Sequence, residues 1–119
     1  MCFGLGLAGV AVAGMKGAYP VSINTTYKYA IGAIGTARNS TDNNQYLECN
    51  TQTTASGFWT YCVATDATNK TVSCTSSSAN IASAVRSLNG DSALYFNWDS
   101  SGTCGTVIVY QSSYYEPKK

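Results

Sequence analysis

Four cysteines, at positions 49, 62, 74 and 104, constrain the fold of this chain more than any other feature. No two cysteines have the CxxC spacing and the chain contains no histidine, so a metal site is not expected. A fifth cysteine, Cys2, lies apart from them in an apolar stretch. Four cysteines in a short chain with an export-like start predict two disulfides and an oxidising compartment. Three pairings are open at this point, and a cytosolic protein with four buried thiols is the alternative.

Two alternating segments around the first of these cysteines predict a β-hairpin. Residues 57–65 alternate throughout, with aromatic and apolar side chains on both faces and Cys62 on one of them. Residues 45–51 alternate as well and carry Cys49 on their apolar face. A short turn between the two segments would bring Cys49 opposite Cys62. The other two cysteines of the four would then pair by elimination.

The period of the apolar residues changes once along the chain, which predicts a single helix. The spacing of one helical face is found at Ile81, Ala84, Val85 and Leu88. Ser77 or Ser78 can cap its start, and Gly90 stands where a helix ends. Four strand patterns precede this helix and two follow it, joined mostly by short links that favour antiparallel neighbours. The expected fold is α+β and mainly β, a curled antiparallel sheet of about six strands (order ββββ-α-ββ) covered by one short helix.

The first twenty residues differ in composition from the rest, so we expect a leader at 1–20 and one β-rich domain at 21–119. The run from Cys2 to Gly14 is apolar and rich in glycine and alanine, like the core of a signal peptide. Its residues 11–13 fit an A-x-A cleavage site, and the run is too short to cross a bilayer as a helix. The leader is therefore interpreted either as a signal-like segment or as a segment that contacts a neighbouring subunit.

Charge and residue types argue against several classes of function. Only 11% of the residues are charged and the net charge is +1, which argues against a nucleic-acid partner. No cofactor motif is found. Without histidine, acid–base chemistry at neutral pH would depend on carboxylates, lysine or tyrosine, and Glu48 alone among the acids lies in the interior of a predicted strand. No nucleophile motif is present either, so an enzyme is not expected, although a carboxylate pair of the glycosidase type is left open.

Aromatic side chains on the predicted strands are the strongest candidates for a binding surface. The set comprises Tyr27, Tyr29, Tyr46, Trp59 and Tyr61. Rows of aromatic residues with polar neighbours bind sugars or polypeptides. The favoured alternative is that both faces of these strands are simply covered, one by the helix and the other by the curvature of the sheet.

Eight polar residues in a row, from Arg38 to Gln45, precede the first cysteine-bearing strand. Asparagine and aspartate bond readily to nearby backbone, so the run predicts a turn between two strands in which Arg38 pairs with Asp42. Eight residues are more than a tight hairpin needs, however, which leaves a binding loop as the alternative.

Four strings, "ARNSTDNNQYLEC", "YCVATD", "SLNGDSALYFNWDSSGTC" and "SSYYEPKK", resemble a group of small exported bacterial proteins of proteobacterial type whose function is uncharacterised. The likeness covers about residues 26–118 and includes the four cysteines of the domain. It implies export and disulfides, and it assigns no role to any residue.

These patterns together favour an exported structural or interaction module at the cell surface, in the extracellular space or in the periplasm. We expect its partner to be a second copy of itself, another surface protein or a glycan. The N-terminal segment could build a filament by adding as a strand to a neighbour's sheet edge. The alternative is a monomeric secreted binding protein, of glycan-binding or protease-inhibitor type, that uses its surface aromatics.

Overall fold

The computed structural model describes residues 14–119, and within them the chain forms seven strands and two helices. Their order along the chain is β1 (Ser22–Asn24), β2 (Tyr29–Ala33), α1 (Ile34–Asn39), β3 (Tyr46–Thr54), β4 (Gly57–Thr65), β5 (Thr71–Ser76), α2 (Ala79–Val85), β6 (Ala93–Trp98) and β7 (Cys104–Tyr110). The leader predicted at 1–20 lies mostly outside the described residues, as does its cleavage motif. No helix within residues 14–119 combines the length and the apolar character that a membrane crossing requires.

The strands form two antiparallel sheets, so the expected single curled sheet of six strands is wrong, while the mainly β character is confirmed. One sheet has the order β1-β2-β6-β7 and the other the order β3-β4-β5. Within residues 14–119 one parallel backbone bridge links the two sheets, between Thr75 and Thr103, where the Thr75 amide donates to the carbonyl of Gly102 at 3.0 Å.

Helix α1 explains why the sheet is divided. Because α1 and the loop after it stand between β2 and β3, no tight hairpin joins these strands, and β2 pairs with β6 instead. The sequence gives little sign of this helix, because it is one residue short of two turns. Its N-cap residue, Ala33, has no side chain able to bond the free amides. A glycine, Gly35, lies in its first turn.

The second helix was predicted and is present. In α2 the Ser78 hydroxyl accepts a hydrogen bond from the Ile81 amide at 3.3 Å and so caps the first turn. Ala82 and Val85 are buried, while Ile81 and Leu88 are half-buried and pack against the core. The helix contacts β3, β4 and β7 and therefore touches both sheets.

A single hydrophobic core is shared by the two sheets. Phe96 and Leu94 on β6 are completely buried, and on β4 Ala64 and Cys62 are as well. Side chains of both helices join the same cluster. Because the core-facing rows of both sheets contribute, neither sheet can keep its apolar face covered without the other.

Both predicted disulfides are present, one within a hairpin and one between the two sheets. Cys49 and Cys62 are directly opposite on β3 and β4, with 4.1 Å between their Cα atoms. The second bridge joins Cys74 on β5 to Cys104 on β7 and thereby links the two sheets. Two disulfides are consistent with an extracellular or periplasmic protein.

Candidate functional site

The polar run before β3 forms a compact turn that is organised by Asp42. Its carboxylate accepts hydrogen bonds from the backbone amides of Asn44 and Gln45 and from the Gln45 side chain, each at 2.9 Å. The bond from the Gln45 side chain, followed by the two backbone bonds, lowers the pKa of Asp42 below its ordinary value. Gln45 also accepts from the Val21 amide at 3.0 Å, which fixes the turn to the start of the first sheet.

Arg38 lies in helix α1 and not in the turn itself. Its Nε atom donates to the Lys119 carbonyl at 3.4 Å, so Arg38 and Asp42 each bond a different part of the chain. The neighbouring Asn39 donates to the Pro117 carbonyl and accepts from the Lys119 amide, both at 3.0 Å. Glu116, Pro117 and Lys119 are therefore held against α1.

A cleft of about 470 Å³ opens where α1, this turn, β3 and the C-terminal residues meet. We call it the polar cleft. It is lined by Ile34, Ala37, Arg38, Ser40, Asp42, Asn43, Gln45, Tyr46, Leu47, Glu48 and Lys118. Its volume lies within the range of small-molecule sites. Because two cationic and two acidic side chains share the lining, the cleft suits a polar ligand without a strong net charge.

The polar cleft continues onto the solvent side of the three-stranded sheet, where a hydrogen-bond network is centred on Glu48. The Tyr46 hydroxyl and the Asn50 side-chain amide both donate to its carboxylate. The bond to Glu48, reinforced by burial and by the negative charge, raises the pKa of Tyr46 above its ordinary value. The Asn50 Oδ1 atom is buried and has no hydrogen-bond partner among the described residues.

Three of the five aromatic residues predicted to bind share this side of the three-stranded sheet, which we call the glutamate face. Besides Tyr46, it carries Tyr61 opposite Asn50 and Trp59 opposite Gln52. Trp59 is 42% exposed. The face thus combines aromatic surfaces with a carboxylate and an amide.

The other two predicted residues belong to the four-stranded sheet, so the structure does not bring the five together. Tyr29 stacks on Tyr95 with 5.7 Å between the ring centroids, and Tyr27 lies in the turn before β2 with 78% of its surface exposed. Tyr95 is flanked in register by Ile31 and Ile108 on the neighbouring strands.

We call the row of Tyr29, Ile31, Tyr95 and Ile108 the tyrosine–isoleucine strip. It lies on the side of the sheet opposite the core, and Ile108 is 39% exposed. Alternation within β6 and β7 separates Tyr95 and Ile108 from the core positions, but only the strand pairing reveals that they adjoin Ile31 and Tyr29.

No protein-family model matches this chain, and no match was found among curated proteins or solved structures. The polar cleft, the glutamate face and the tyrosine–isoleucine strip are therefore the observations on which a function can be based. The resemblance to small exported bacterial proteins stays an expectation.

Proposed function

We propose that the protein is an exported interaction module that assembles with copies of itself, and that the free edge of β7 receives the apolar N-terminal segment of a neighbour. The observation that carries this proposal is the position of β7 in the sheet. Among the described residues β7 pairs with β6 on one side, and on the other side the one backbone bridge, at Thr103, precedes the first residue of β7. An edge strand of seven residues offers unpaired amides and carbonyls to another chain.

The side chains beside this edge support the same partner. Ile108 lies on β7 itself. From it the tyrosine–isoleucine strip continues across the sheet through Tyr95 on β6 to Ile31 on β2. Tyrosine and large apolar side chains form the centres of protein interfaces, where they are shielded from water on binding. The N-terminal stretch "CFGLGLAGVAVAG" has no charged residue, so it can lie on such a strip without burying a charge.

The opposite end of the same sheet is a poorer acceptor. Strand β1 has three residues, and a strand that short presents few bonding groups to an incoming chain. Addition at β7 alone gives a head-to-tail contact, since the donor segment and the acceptor edge are different surfaces. Contacts of this kind produce rings or open filaments.

Gel filtration and electron microscopy of the full chain, compared with a chain lacking residues 1–13, test this proposal. We expect the full chain to form oligomers and the shortened chain to be monomeric. Ile108→Lys should also give monomers, because the charge would have to be buried on strand addition. Trp59→Lys is the matched control, since its side chain is similarly exposed but lies on the other sheet.

A synthetic peptide of residues 1–13 shows whether the N-terminal segment can bind the edge of another copy of the chain, as opposed to the edge of its own copy. The peptide should bind the shortened chain and should not bind its Ile108→Lys variant. Monomeric behaviour of the full chain, or equal assembly of the full chain and Ile108→Lys, would show the proposal to be wrong.

The glutamate face favours a second function, which is binding of a glycan. Tyr46 and Asn50 both donate to the Glu48 carboxylate and so hold it in place, and a carboxylate is a strong acceptor for sugar hydroxyls. Aromatic rings such as those of Trp59 and Tyr61 provide flat surfaces for the apolar faces of sugars. The polar cleft beside Tyr46 and Glu48 extends the surface available to a chain of several sugars.

Fluorescence of Trp59, titrated with a panel of neutral and acidic oligosaccharides, tests this second function. We expect saturable shifts that Glu48→Gln and Asn50→Ala weaken. Asp99→Asn is the control, because Asp99 lies in the distant β6–β7 turn. No shift with any oligosaccharide, or equal shifts in Glu48→Gln, would exclude this function.

A further inference from the structure

The C-terminal residues lie in a groove that holds them mainly through their backbone. Asn39 in α1 donates to the Pro117 carbonyl and accepts from the Lys119 amide, both at 3.0 Å. On the opposite side, the Lys118 amide donates to the Gly90 carbonyl at 3.2 Å. The backbone groups of this stretch thus bond alternately to two walls, as those of an extended strand bond to the strands on either side of it.

Two glycines let the C-terminal residues approach this closely. A Cβ atom at Gly35 would collide with the Glu116 carbonyl oxygen, and one at Gly90 would lie 3.2 Å from the Cε atom of Lys118. We call the surface formed by Gly35, Asn39 and Gly90 the tail groove. It bonds the main chain at three successive residues, and main-chain hydrogen bonds of this kind are the means by which proteins hold extended peptides.

We propose that the tail groove is a peptide site, and that residues 114–119 of a second copy of the chain occupy it in place of the chain's own residues 114–119 when copies assemble. The choice of occupant follows from the fit already present within one copy, because the same atoms make the same bonds when the stretch comes from another copy. Exchange of an identical element is a low-cost route to assembly. This contact is separate from the one proposed at β7, which uses the N-terminal segment.

The low burial of this stretch favours its release from its own groove. The side chains of residues 117–119 are exposed, and those of Tyr115 and Glu116 are half-buried. The residues that join the stretch to β7 are exposed as well. Local opening costs little free energy where few apolar contacts are lost, so an open state with an empty tail groove is accessible.

Exchange between copies would also change the composition of the polar cleft. Lys118 is one of the residues that line this cleft, beside Arg38. In an exchanged assembly the lysine would come from the neighbouring copy, so two copies would form each polar cleft together.

Binding of a labelled peptide of residues 112–119 to full-length variants, measured by fluorescence polarisation, tests the proposal. The chain's own stretch competes at an effective concentration of about millimolar, so the unchanged protein should bind the peptide weakly. Tyr115→Ala removes the stack on Tyr19, whose ring centroid lies 6.1 Å away, and loosens that stretch without altering the tail groove. We expect Tyr115→Ala to bind the peptide at least about fivefold more tightly than the unchanged protein. Tyr27→Ala, which removes an exposed tyrosine of the turn before β2, is the matched control and should bind no better than the unchanged protein.

Two additional variants assign the peptide binding to the tail groove. Adding Gly35→Ala to Tyr115→Ala should abolish binding, because the added Cβ atom blocks the groove. Adding Asn39→Ala should weaken binding, because two main-chain hydrogen bonds are lost. No peptide binding by Tyr115→Ala, or equal binding by Tyr115→Ala and by both double variants, would overturn the proposal.

Mixing two full-length variants tests exchange between copies directly. Both carry Ile108→Lys, which removes the contact proposed at β7, so the outcome does not depend on that contact. Gly35→Ala has a blocked groove and a released stretch, whereas Tyr115→Ala has an accessible groove. We expect the mixture to form a one-to-one complex on gel filtration, while Gly35→Ala alone is monomeric. A mixture that elutes as monomers would show that copies do not exchange this stretch.

Discussion

Cys62 and Cys74 are register partners on adjacent strands, yet each is bonded to a cysteine on another strand, Cys49 on β3 and Cys104 on β7. The two disulfides are therefore neighbours in the core, but they constrain different parts of the fold. The first closes a hairpin whose strands already pair along nine residues, whereas the second joins two sheets that share a single backbone bridge.

Removal of the second bridge should destabilise the protein more than removal of the first. In the loop-entropy model, a separation of 30 residues gives about 3.7 kcal/mol and one of 13 residues about 3 kcal/mol. We expect Cys74→Ser/Cys104→Ser to lower the urea midpoint further than Cys49→Ser/Cys62→Ser. In Cys74→Ser/Cys104→Ser we also expect the amide hydrogens of the two sheets to exchange at unequal rates. In Cys49→Ser/Cys62→Ser the rates of the two sheets should stay alike. A larger loss in the hairpin variant would contradict this expectation.

Gly35→Ala should detach the C-terminal residues from α1. A Cβ atom at position 35 would collide with the Glu116 carbonyl oxygen and lie 2.8 Å from the Pro117 carbonyl carbon, and both are backbone atoms. We expect a loss of about 1–3 kcal/mol in the free energy of unfolding and faster tryptic cleavage at Lys118. Gly14→Ala is the control, because a Cβ atom there meets nothing within 4 Å. Equal cleavage rates in the two variants would show that α1 does not hold this segment.

Acid should weaken the turn before β3. The hydrogen bonds of Asp42 lower its pKa in the folded state, so the stabilisation is complete above the unfolded pKa of about 4 and is lost as the pH falls through the folded value. Urea unfolding at pH 5 and at pH 2.5 measures the effect. In Asp42→Asn the difference between the two pH values should be smaller than in the unchanged protein. An unchanged difference would show that Asp42 does not contribute to the acid sensitivity.

Glu48→Gln should lower the pKa of the Tyr46 phenol toward its ordinary value of 10.0, since the negative acceptor that opposes its ionisation is removed. Carbon-13 NMR of labelled tyrosine rings measures this pKa, and Tyr46→Phe assigns the resonance. Tyr115 is the internal control, because burial and then its tyrosine neighbours raise its pKa, and Glu48 takes no part. A Tyr46 pKa that stays high in Glu48→Gln would exclude the Glu48 network as its cause.

Local alternation was enough to predict the β3–β4 hairpin and its disulfide. Side chains alternate with a period of two, so a short turn near residues 55–56 fixed which residues of the two strands are opposite. The same local logic predicted α2, where Ser78 and the apolar spacing agree. The hairpin prediction and the helix prediction both depend on short-range contacts, the longest being the pairing of Tyr46 with Thr65.

Long-range pairing could not be predicted in this way. The pairing of β2 with β6 joins residues 60 to 68 positions apart, and it depends on α1, which lacks a capping side chain. For the same reason Tyr29 was grouped with Trp59, although they belong to different sheets. The polar run does form a turn around Asp42, but its first two residues, Arg38 and Asn39, belong to α1, and its part in a cleft required the position of Lys118, which no local pattern fixes.

The parallel bridge between Gly17 and Tyr115 has a mechanical consequence. The segments around these two residues run side by side in the same direction, and the Gly17 amide donates to the Tyr114 carbonyl at 3.0 Å. Tension applied through the chain before Gly17 and after Tyr115 would pull the segments in opposite directions along their length. Such a load shears the contacts together and does not peel them one at a time. A subunit of a filament under tension would resist separation of these two segments because of this arrangement.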